Sequence, residues 1–176
     1  MATIDLIVLG ILKKESLSAY DIQKLVEYRT ISKWVKISTP SIYKKVLQLE
    51  EKGLITSTTV QGENLADKAV YSLTEAGDAE FESLMSQISA QPIHIFLDYN
   101  AVIVNLSSLS ADKQRRCLAK IEGNLQAMKA DLQDNLSRKE QLASIPATGM
   151  AVLQQQLALV DSLEAWVAAL KKSAPK

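Results

Sequence analysis

The chain has 176 residues, with 20 Lys and Arg against 20 Asp and Glu, so its formal net charge is zero. This length suits one small domain with a helical extension and excludes two large domains. A neutral chain does not indicate nucleic acid by its overall charge, yet basic residues clustered on one face would still attract phosphates, because salt screens charges only beyond about 10 Å. The distribution of charge is therefore more informative than its sum.

Cysteine content and hydropathy restrict the compartment and the chemistry. Cys117 is the single cysteine, so the chain can form no internal disulfide and no thiolate metal cage. Residues 1–13 are apolar but lack a leading basic region and a small-residue cleavage pattern, which predicts a buried helix rather than a signal peptide. No segment reaches the roughly 20 apolar residues of a membrane span. A cytoplasmic protein without a membrane partner is therefore predicted.

Two helices are predicted at the start of the chain. Residues 3–14 are apolar on almost every side, and Thr3 is suited to cap their first turn. Ser18 precedes Asp21 by three positions, an arrangement in which Ser18 caps a helix that ends near Tyr28 to Thr30. Because a nearly all-apolar helix must be covered by its neighbours, this part of the chain predicts a packed head.

A third helix is predicted over residues 40–52. Pro40 favours a first helical turn, and Gly53 stands where a left-handed C-cap belongs. The apolar spacing turns one side of this helix toward the core through Ile42, Val46, Leu47 and Leu49. The side chains left to face outward are Thr39, Ser41, Lys44, Lys45 and Gln48.

A β-hairpin and a fourth helix complete the head. Residues 54–60 and 68–73 have the composition of strands, and residues 61–64, with the sequence Gln-Gly-Glu-Asn, supply turn chemistry. Thr74 is then placed to cap a helix. Three helices, a hairpin and a helix in this order predict a winged helix-turn-helix domain over residues 1–88, an α+β head in a mainly α-helical protein.

Residues 89–176 predict an all-helical region. Pro92 opens a mainly apolar stretch, Ser110 caps the next helix, and two long helices separated by a break at residues 145–149 carry heptad patterns. An antiparallel hairpin of this kind is not expected to bury both apolar faces alone, so a second copy of the chain is predicted to cover them. The ten apolar positions of these heptads, called the seam residues below, are Leu118, Ile121, Leu125, Met128, Leu132, Leu153, Leu157, Val160, Leu163 and Val167.

The stretch between Tyr28 and Leu49, called the basic stretch below, contains five basic residues and no Asp or Glu. Taken alone, such lysines are more often the solvated face of an amphipathic helix. However, they coincide with the third helix and the loop before it, where a helix-turn-helix places the element that enters the major groove. The five residues are Arg29, Lys33, Lys36, Lys44 and Lys45.

Four segments within residues 1–80 resemble successive signatures of the PadR-like transcriptional regulators: residues 9–12, 18–22, 38–55 and 70–77. The resemblance implies a third helix in the major groove and a wing near the minor groove. The C-terminal region resembles the longer helical region of the branch that includes virulence regulators. By position, the DNA-facing residues of the recognition helix would be Ser38, Thr39, Ser41, Tyr43 and Lys44.

The wing departs from the family pattern. Family wings are often rich in Arg or Lys, whereas this one contains Glu63 and Asp67, with Lys68 as the only adjacent base. Whether the wing contacts DNA is therefore left open. The complete set of predicted DNA-binding residues is Lys36, Ser38, Thr39, Ser41, Tyr43, Lys44, Lys45, Gln48 and Lys68.

Four other residues invite chemical roles but have simpler explanations. The only histidine, His94, has no partners at metal-ligand spacing, so packing or hydrogen bonding is expected. Cys117 follows Arg115 and Arg116 and could sense oxidation, but a half-buried, inert thiol is expected. Trp34 and Trp166 could line an effector pocket or serve as packing residues. No metal, cofactor or enzymatic site is predicted.

The sequence thus predicts a homodimeric regulator, with repression favoured, that binds a pseudo-palindromic site in double-stranded DNA. Half-sites about 34 Å apart are typical of dimeric helix-turn-helix proteins. A small-molecule effector between head and helices is a further hypothesis, and nothing names that molecule. The alternative is a winged-helix module that binds a protein rather than DNA, which the acidic wing and the neutral net charge keep open.

Overall fold

The computed structural model describes residues 2–61, 67–141 and 145–173, and it divides into two compact units, Met1–Ile93 and His94–Lys176. The described residues are mostly helical, with one small antiparallel sheet, which confirms the predicted fold class. The elements of the first unit are α1 (Ala2–Leu12), α2 (Ala19–Tyr28), α3 (Ser41–Glu51), β1 (Ile55–Gln61), β2 (Asp67–Leu73) and α4 (Glu75–Ser89). Those of the second are α5 (Asn100–Val104), α6 (Ala111–Glu140) and α7 (Ala147–Ser173).

Helix α1 is the centre of the first unit. Its side chains Ile4, Val8 and Leu9 are buried, and α3 and α4 pack against it. Full burial of aliphatic side chains of this size stabilises the unit by about 2 kcal/mol each relative to exposure. The prediction that Thr3 caps this helix is wrong, because the helix already includes Ala2.

Local capping chemistry fixes the ends of three helices in this unit. The Ser18 hydroxyl accepts a hydrogen bond from the Asp21 backbone N–H at the start of α2, and Thr74 does the same for Gly77 at the start of α4. Gly53, one residue beyond the C-cap of α3, has a φ of 70°. Glycine adopts this left-handed conformation without a steric penalty, so these three cap predictions are confirmed.

The β-hairpin pairs from Ile55 opposite Leu73 to Gln61 opposite Asp67. Its inner end is attached to the unit through Tyr71, whose backbone exchanges two hydrogen bonds with Leu17, at 2.9 and 3.1 Å. Tyr71 is also buried in the core. The predicted hairpin is confirmed, while residues 62–64 of its predicted turn lie outside the described residues.

The second unit begins with a stretch that is only partly helical. Between Pro92 and α6, the short helix α5 is followed by a 3-10 turn at Leu106–Ser108. Ile95 and Phe96, apolar in the sequence pattern, are 65% and 85% exposed. Ser110 occupies the N-cap position of α6 as predicted, although its side chain makes no capping hydrogen bond.

Helices α6 and α7 form an antiparallel hairpin whose seam is largely buried within one chain. Ile121, Leu125 and Val167 form a buried cluster, and Leu163 packs against it. The expectation that the hairpin cannot bury its apolar faces alone is therefore wrong for six of the ten seam residues, because packing between α6 and α7 buries them within one chain. Of the other four, Leu132, Leu157 and Leu163 are half-buried, and Met128 is 45% exposed. The six buried seam residues are Leu118, Ile121, Leu125, Leu153, Val160 and Val167.

Ion pairs join the two long helices beside this seam. Lys129 Nζ on α6 lies 2.7 Å from Asp161 Oδ1 and 2.8 Å from Glu164 Oε2 on α7. Both carboxylates raise the pKa of Lys129, so the pairing favours its charged form. Lys171 on α7 pairs in turn with Glu122 on α6 at 2.5 Å.

Among the described helices, none combines the length and hydropathy needed to cross a membrane.

Candidate nucleic-acid interface

Helix α3 has one side in the core and the opposite side in solvent. Ile42, Val46 and Leu49 are completely buried, which fixes the rotation of the helix about its axis. Tyr43 is 55% exposed, and Lys44 is also exposed. The predicted rotation is thus correct, except that Leu47, expected in the core, is 37% exposed.

The loop before α3 presents further polar groups. Lys36 and Ser38 are exposed, and Thr39 at the end of the loop is half-buried, as is Ser41 in the first turn of α3. Hydroxyl and ammonium groups of this kind are donors for phosphate oxygens and base edges. Trp34 is half-buried and packs against the core, which supports its role as an anchor of the loop.

Lys45 is placed differently from Lys44, although the two are adjacent. Its Nζ lies 2.9 Å from Asp5 Oδ1 of α1, and the two side chains are only 15% and 16% exposed. The expectation that Lys45 faces outward is therefore wrong. Its side chain lies between α3 and α1, where its ammonium group pairs with Asp5. Gln48, one turn further along α3, is half-buried.

The predicted wing residue Lys68 is also paired. Its Nζ lies 2.6 Å from Asp21 Oδ2 in the first turn of α2, and the Ser18 hydroxyl donates a hydrogen bond of 2.7 Å to the same carboxylate oxygen. The pair joins β2 to the cap of α2. Asp67 is exposed at the start of β2, and Glu63 lies outside the described residues.

Tyr20 was not among the predicted site residues, yet it is 63% exposed in the first turn of α2. Lys24 lies one turn along the same helix, with its Nζ 5.4 Å from the centre of the Tyr20 ring. The first helix of a helix-turn-helix crosses the DNA backbone, where a phenol hydroxyl can bond a phosphate. The signal in the sequence was an aromatic residue two positions after a helix cap, outside the apolar pattern.

The pairing of Asp21 gives the first unit a pH dependence. The hydrogen bond from Lys68, followed by that from Ser18, lowers the pKa of Asp21 below its ordinary value. A carboxylate whose pKa is lowered by folding contributes stability above its unfolded pKa and loses that contribution as the pH falls through the folded pKa.

On acidification to about pH 3, Asp21→Asn should therefore lose less unfolding free energy than the wild type. Urea unfolding at several pH values measures this, with the exposed Asp67→Asn as control; identical pH profiles for wild type and Asp21→Asn would contradict it.

The second unit offers no alternative chemical site at the residues considered above. His94 is exposed and stacks on Phe96 with ring centroids 6.0 Å apart. Cys117 is a free, half-buried thiol on α6. Among the described residues, no three His, Cys, Asp or Glu side chains are grouped to hold a metal ion.

Comparison with known proteins finds sequence similarity over most of the head. Residues 8–83 match the transcriptional regulator PadR-like family. The negative transcriptional regulator PadR of Bacillus subtilis is 36% identical over 87 residues, which are 49% of this chain and 46% of that protein. The match thus spans about half the length of this curated relative.

Solved structures show the same fold over nearly the whole chain. The crystal structure of Bacillus subtilis PadR in complex with operator DNA has a TM-score of 0.81, with 22% identity over 98% of this chain and 97% of that one. The Vibrio cholerae virulence activator AphA has a TM-score of 0.70, with 20% identity over 96% of each chain. These two structures therefore share their fold with this chain. In sequence, residues 8–83, which make up most of the winged helix-turn-helix head, are thus similar to the PadR-like family of transcriptional regulators.

Proposed function

We propose that this protein is a cytoplasmic, homodimeric transcriptional regulator that binds a pseudo-palindromic DNA site through α3. The observation that carries the proposal is the basic stretch, which has no acidic residue and presents Lys36, Tyr43 and Lys44 in solvent beside the buried side of α3. Its position in a PadR-like head supports major-groove binding. The protein acts by binding and carries out no catalysis.

Within this proposal, the exposed residues have distinct roles. Lys36 and Lys44 neutralise phosphates, and Ser38 and Tyr43 donate hydrogen bonds. Ser41, Thr39 and Gln48 are half-buried, and they contact DNA only where the wall of the groove comes close to the helix. Lys68 reaches DNA only by leaving Asp21, so the wing contributes little.

The helical unit forms the homodimer in this proposal. Because six seam residues are buried within one chain, association uses apolar side chains that remain exposed, such as Met128 and Leu159. Dimerisation sets the distance between the two α3 helices, and half-sites one turn of DNA apart, about 34 Å, fit such an arrangement.

Repression and control by a small molecule complete the proposal. The curated Bacillus subtilis relative is a negative regulator, and that protein has been crystallised with p-coumaric acid. An effector would act here by binding one separation of the two α3 helices more tightly than another.

Selection from a pool of random DNA duplexes tests the proposal. The purified full chain should enrich an inverted repeat at low salt, and light scattering should give twice the mass of one chain. The enriched repeat, placed upstream of a reporter gene, should lower expression when the protein is present. If the protein is folded and dimeric but enriches no DNA sequence, the DNA-binding proposal is overturned and a protein partner is favoured.

A further inference from the structure

The β-hairpin has a single basic residue, and the charge of that residue is used inside the head. Residues 55–73 contain Lys68 and no other Lys or Arg. The Nζ of Lys68 lies 2.6 Å from Asp21 Oδ2, in the first turn of α2. Backbone hydrogen bonds between Tyr71 and Leu17 hold the inner end of the hairpin beside the start of α2. The ion pair therefore joins two elements whose positions are already fixed.

The carboxylate of Asp21 is an oriented acceptor. The Ser18 hydroxyl donates a hydrogen bond of 2.7 Å to the same Oδ2, and it accepts one from the Asp21 backbone N–H. The bonds from Lys68 and Ser18 lower the pKa of Asp21, so the carboxylate is ionised near neutral pH. Hydrogen bonds to an ionised oxygen are stronger than those between neutral groups. Asp21 thus offers Lys68 the same kind of partner as a phosphate oxygen.

The position of the pair sets Asp21 and the DNA backbone in competition for Lys68. In a helix-turn-helix, the first helix crosses the DNA backbone, and α2 is that helix here. Asp21 lies in its first turn, next to the exposed Tyr20. If Lys68 moved to a phosphate, the carboxylate of Asp21 would lose its cation within the roughly 10 Å over which it repels phosphates. This repulsion would offset the new contact, so the charged Asp21 retains Lys68.

We propose that Asp21 holds Lys68 away from DNA and thereby limits the affinity of the head for its site. Asp21 is a positioning residue, because it acts through Lys68 and makes no contact with DNA. The inference rests on the DNA-binding function proposed above. It implies that removing one negative charge adds a phosphate contact from the hairpin in each chain.

The variant Asp21→Asn tests this proposal in the full chain. Asparagine has nearly the same shape and can still accept the hydrogen bond from Ser18, so the substitution removes little besides the charge. Asp21→Asn should bind the DNA selected by the wild type several-fold more tightly. The slope of log affinity against log salt concentration should become steeper by about 0.9 for each phosphate gained. Fluorescence anisotropy measures both, and wild-type values of affinity and slope would overturn the proposal.

Acetylation of lysines, read by mass spectrometry, shows directly whether Lys68 contacts DNA. Each lysine is compared in the free protein and in the complex. In the wild type, DNA should protect the exposed Lys44 and leave the reactivity of Lys68 unchanged; in Asp21→Asn, DNA should protect both. Protection of Lys68 in the wild type would show that it already leaves Asp21. Failure of DNA to protect it in Asp21→Asn would show that the hairpin does not reach the backbone. Either result overturns the proposal.

A matched control separates the ion pair from overall charge. Asp67→Asn makes the same change in net charge one residue before Lys68, but Asp67 is exposed and is not the residue that holds this lysine. It should leave Lys68 unprotected by DNA. Equal protection of Lys68 in Asp67→Asn and Asp21→Asn would show that net charge controls the lysine, which contradicts the proposal. If circular dichroism shows that Asp21→Asn is unfolded, the wild-type acetylation pattern decides, since protection of Lys68 there is sufficient to refute it.

The failure of this proposal differs from the failure of the proposed function. A wild-type chain that enriches no DNA loses the regulator function and this inference with it. A wild-type chain that binds its selected DNA and protects Lys44, but gains nothing from Asp21→Asn, keeps the regulator function and loses only the role of Asp21.

Discussion

Replacing Gly77 with alanine should lower the unfolding free energy of the first unit by roughly 3 kcal/mol, the upper range for a side chain forced into a packed interior. A Cβ atom at Gly77 would lie 1.9 Å from the backbone oxygen of Leu54 and 2.9 Å from Leu73 Cδ1. That oxygen cannot retreat freely, because it accepts hydrogen bonds from the Thr74 N–H, at 3.2 Å, and from the Thr74 hydroxyl, at 2.9 Å. One methyl group therefore forces the start of α4 away from the backbone of Leu54.

Urea unfolding followed by circular dichroism measures this effect, and the chain supplies a matched control. Gly123 is exposed on α6, and a Cβ atom there would meet nothing within 4 Å. Gly123→Ala should stabilise its helix by up to about 1 kcal/mol, because alanine loses less conformational entropy on folding than glycine. The close approach at Gly77 would be disproved by an unfolding midpoint for Gly77→Ala equal to that of the wild type.

Two adjacent lysines of α3 should behave differently when each is replaced with alanine. Lys44 is exposed and forms no ion pair with any described residue, so its loss should remove one phosphate contact. The slope of log affinity against log salt concentration should then fall by about 0.9. Lys45 is held by Asp5, so Lys45→Ala should keep the salt slope and instead lower the urea midpoint of the first unit.

Fluorescence anisotropy with the selected DNA, repeated over a series of NaCl concentrations, gives both slopes. The urea midpoints of the two variants distinguish a lost contact from a destabilised head. If Lys45→Ala reduced the slope as much as Lys44→Ala, Lys45 would have to leave Asp5 and reach a phosphate when DNA binds. That result would restore the outward position that the helical pattern of the sequence predicts.

Features that depend on neighbours in the sequence were predictable. Ser18 and Thr74 each accept a bond from a backbone N–H three residues ahead, so the residue type and its position before an apolar run suffice. Gly53 was equally visible, because the left-handed conformation favours glycine on its own. The order of elements in the head follows from such local signals.

Features that depend on distant neighbours were not predictable. The periodicity of α3 gives two lysines similar outward positions, and only the packing of α1 shows that Asp5 lies against one of them. The same limit applies to the seam. The heptad patterns predict the hairpin but do not say how much of its apolar surface the hairpin buries by itself, and here α7 covers Ile121 and Leu125 of the same chain. Tyr20 was missed because exposure of a single aromatic residue leaves no periodic trace.

The ion pairs between α6 and α7 determine how the two helices can align. Lys129 of α6 meets two acidic residues of α7, whereas Lys171 of α7 meets an acidic residue of α6, so the charges alternate in sign along the contact. A slide of α7 by one turn would separate these partners even if the apolar side chains found new ones. Leucine and valine side chains pack with little selectivity, so the apolar contacts alone would allow several alignments of α6 with α7. The ion pairs select one of these alignments.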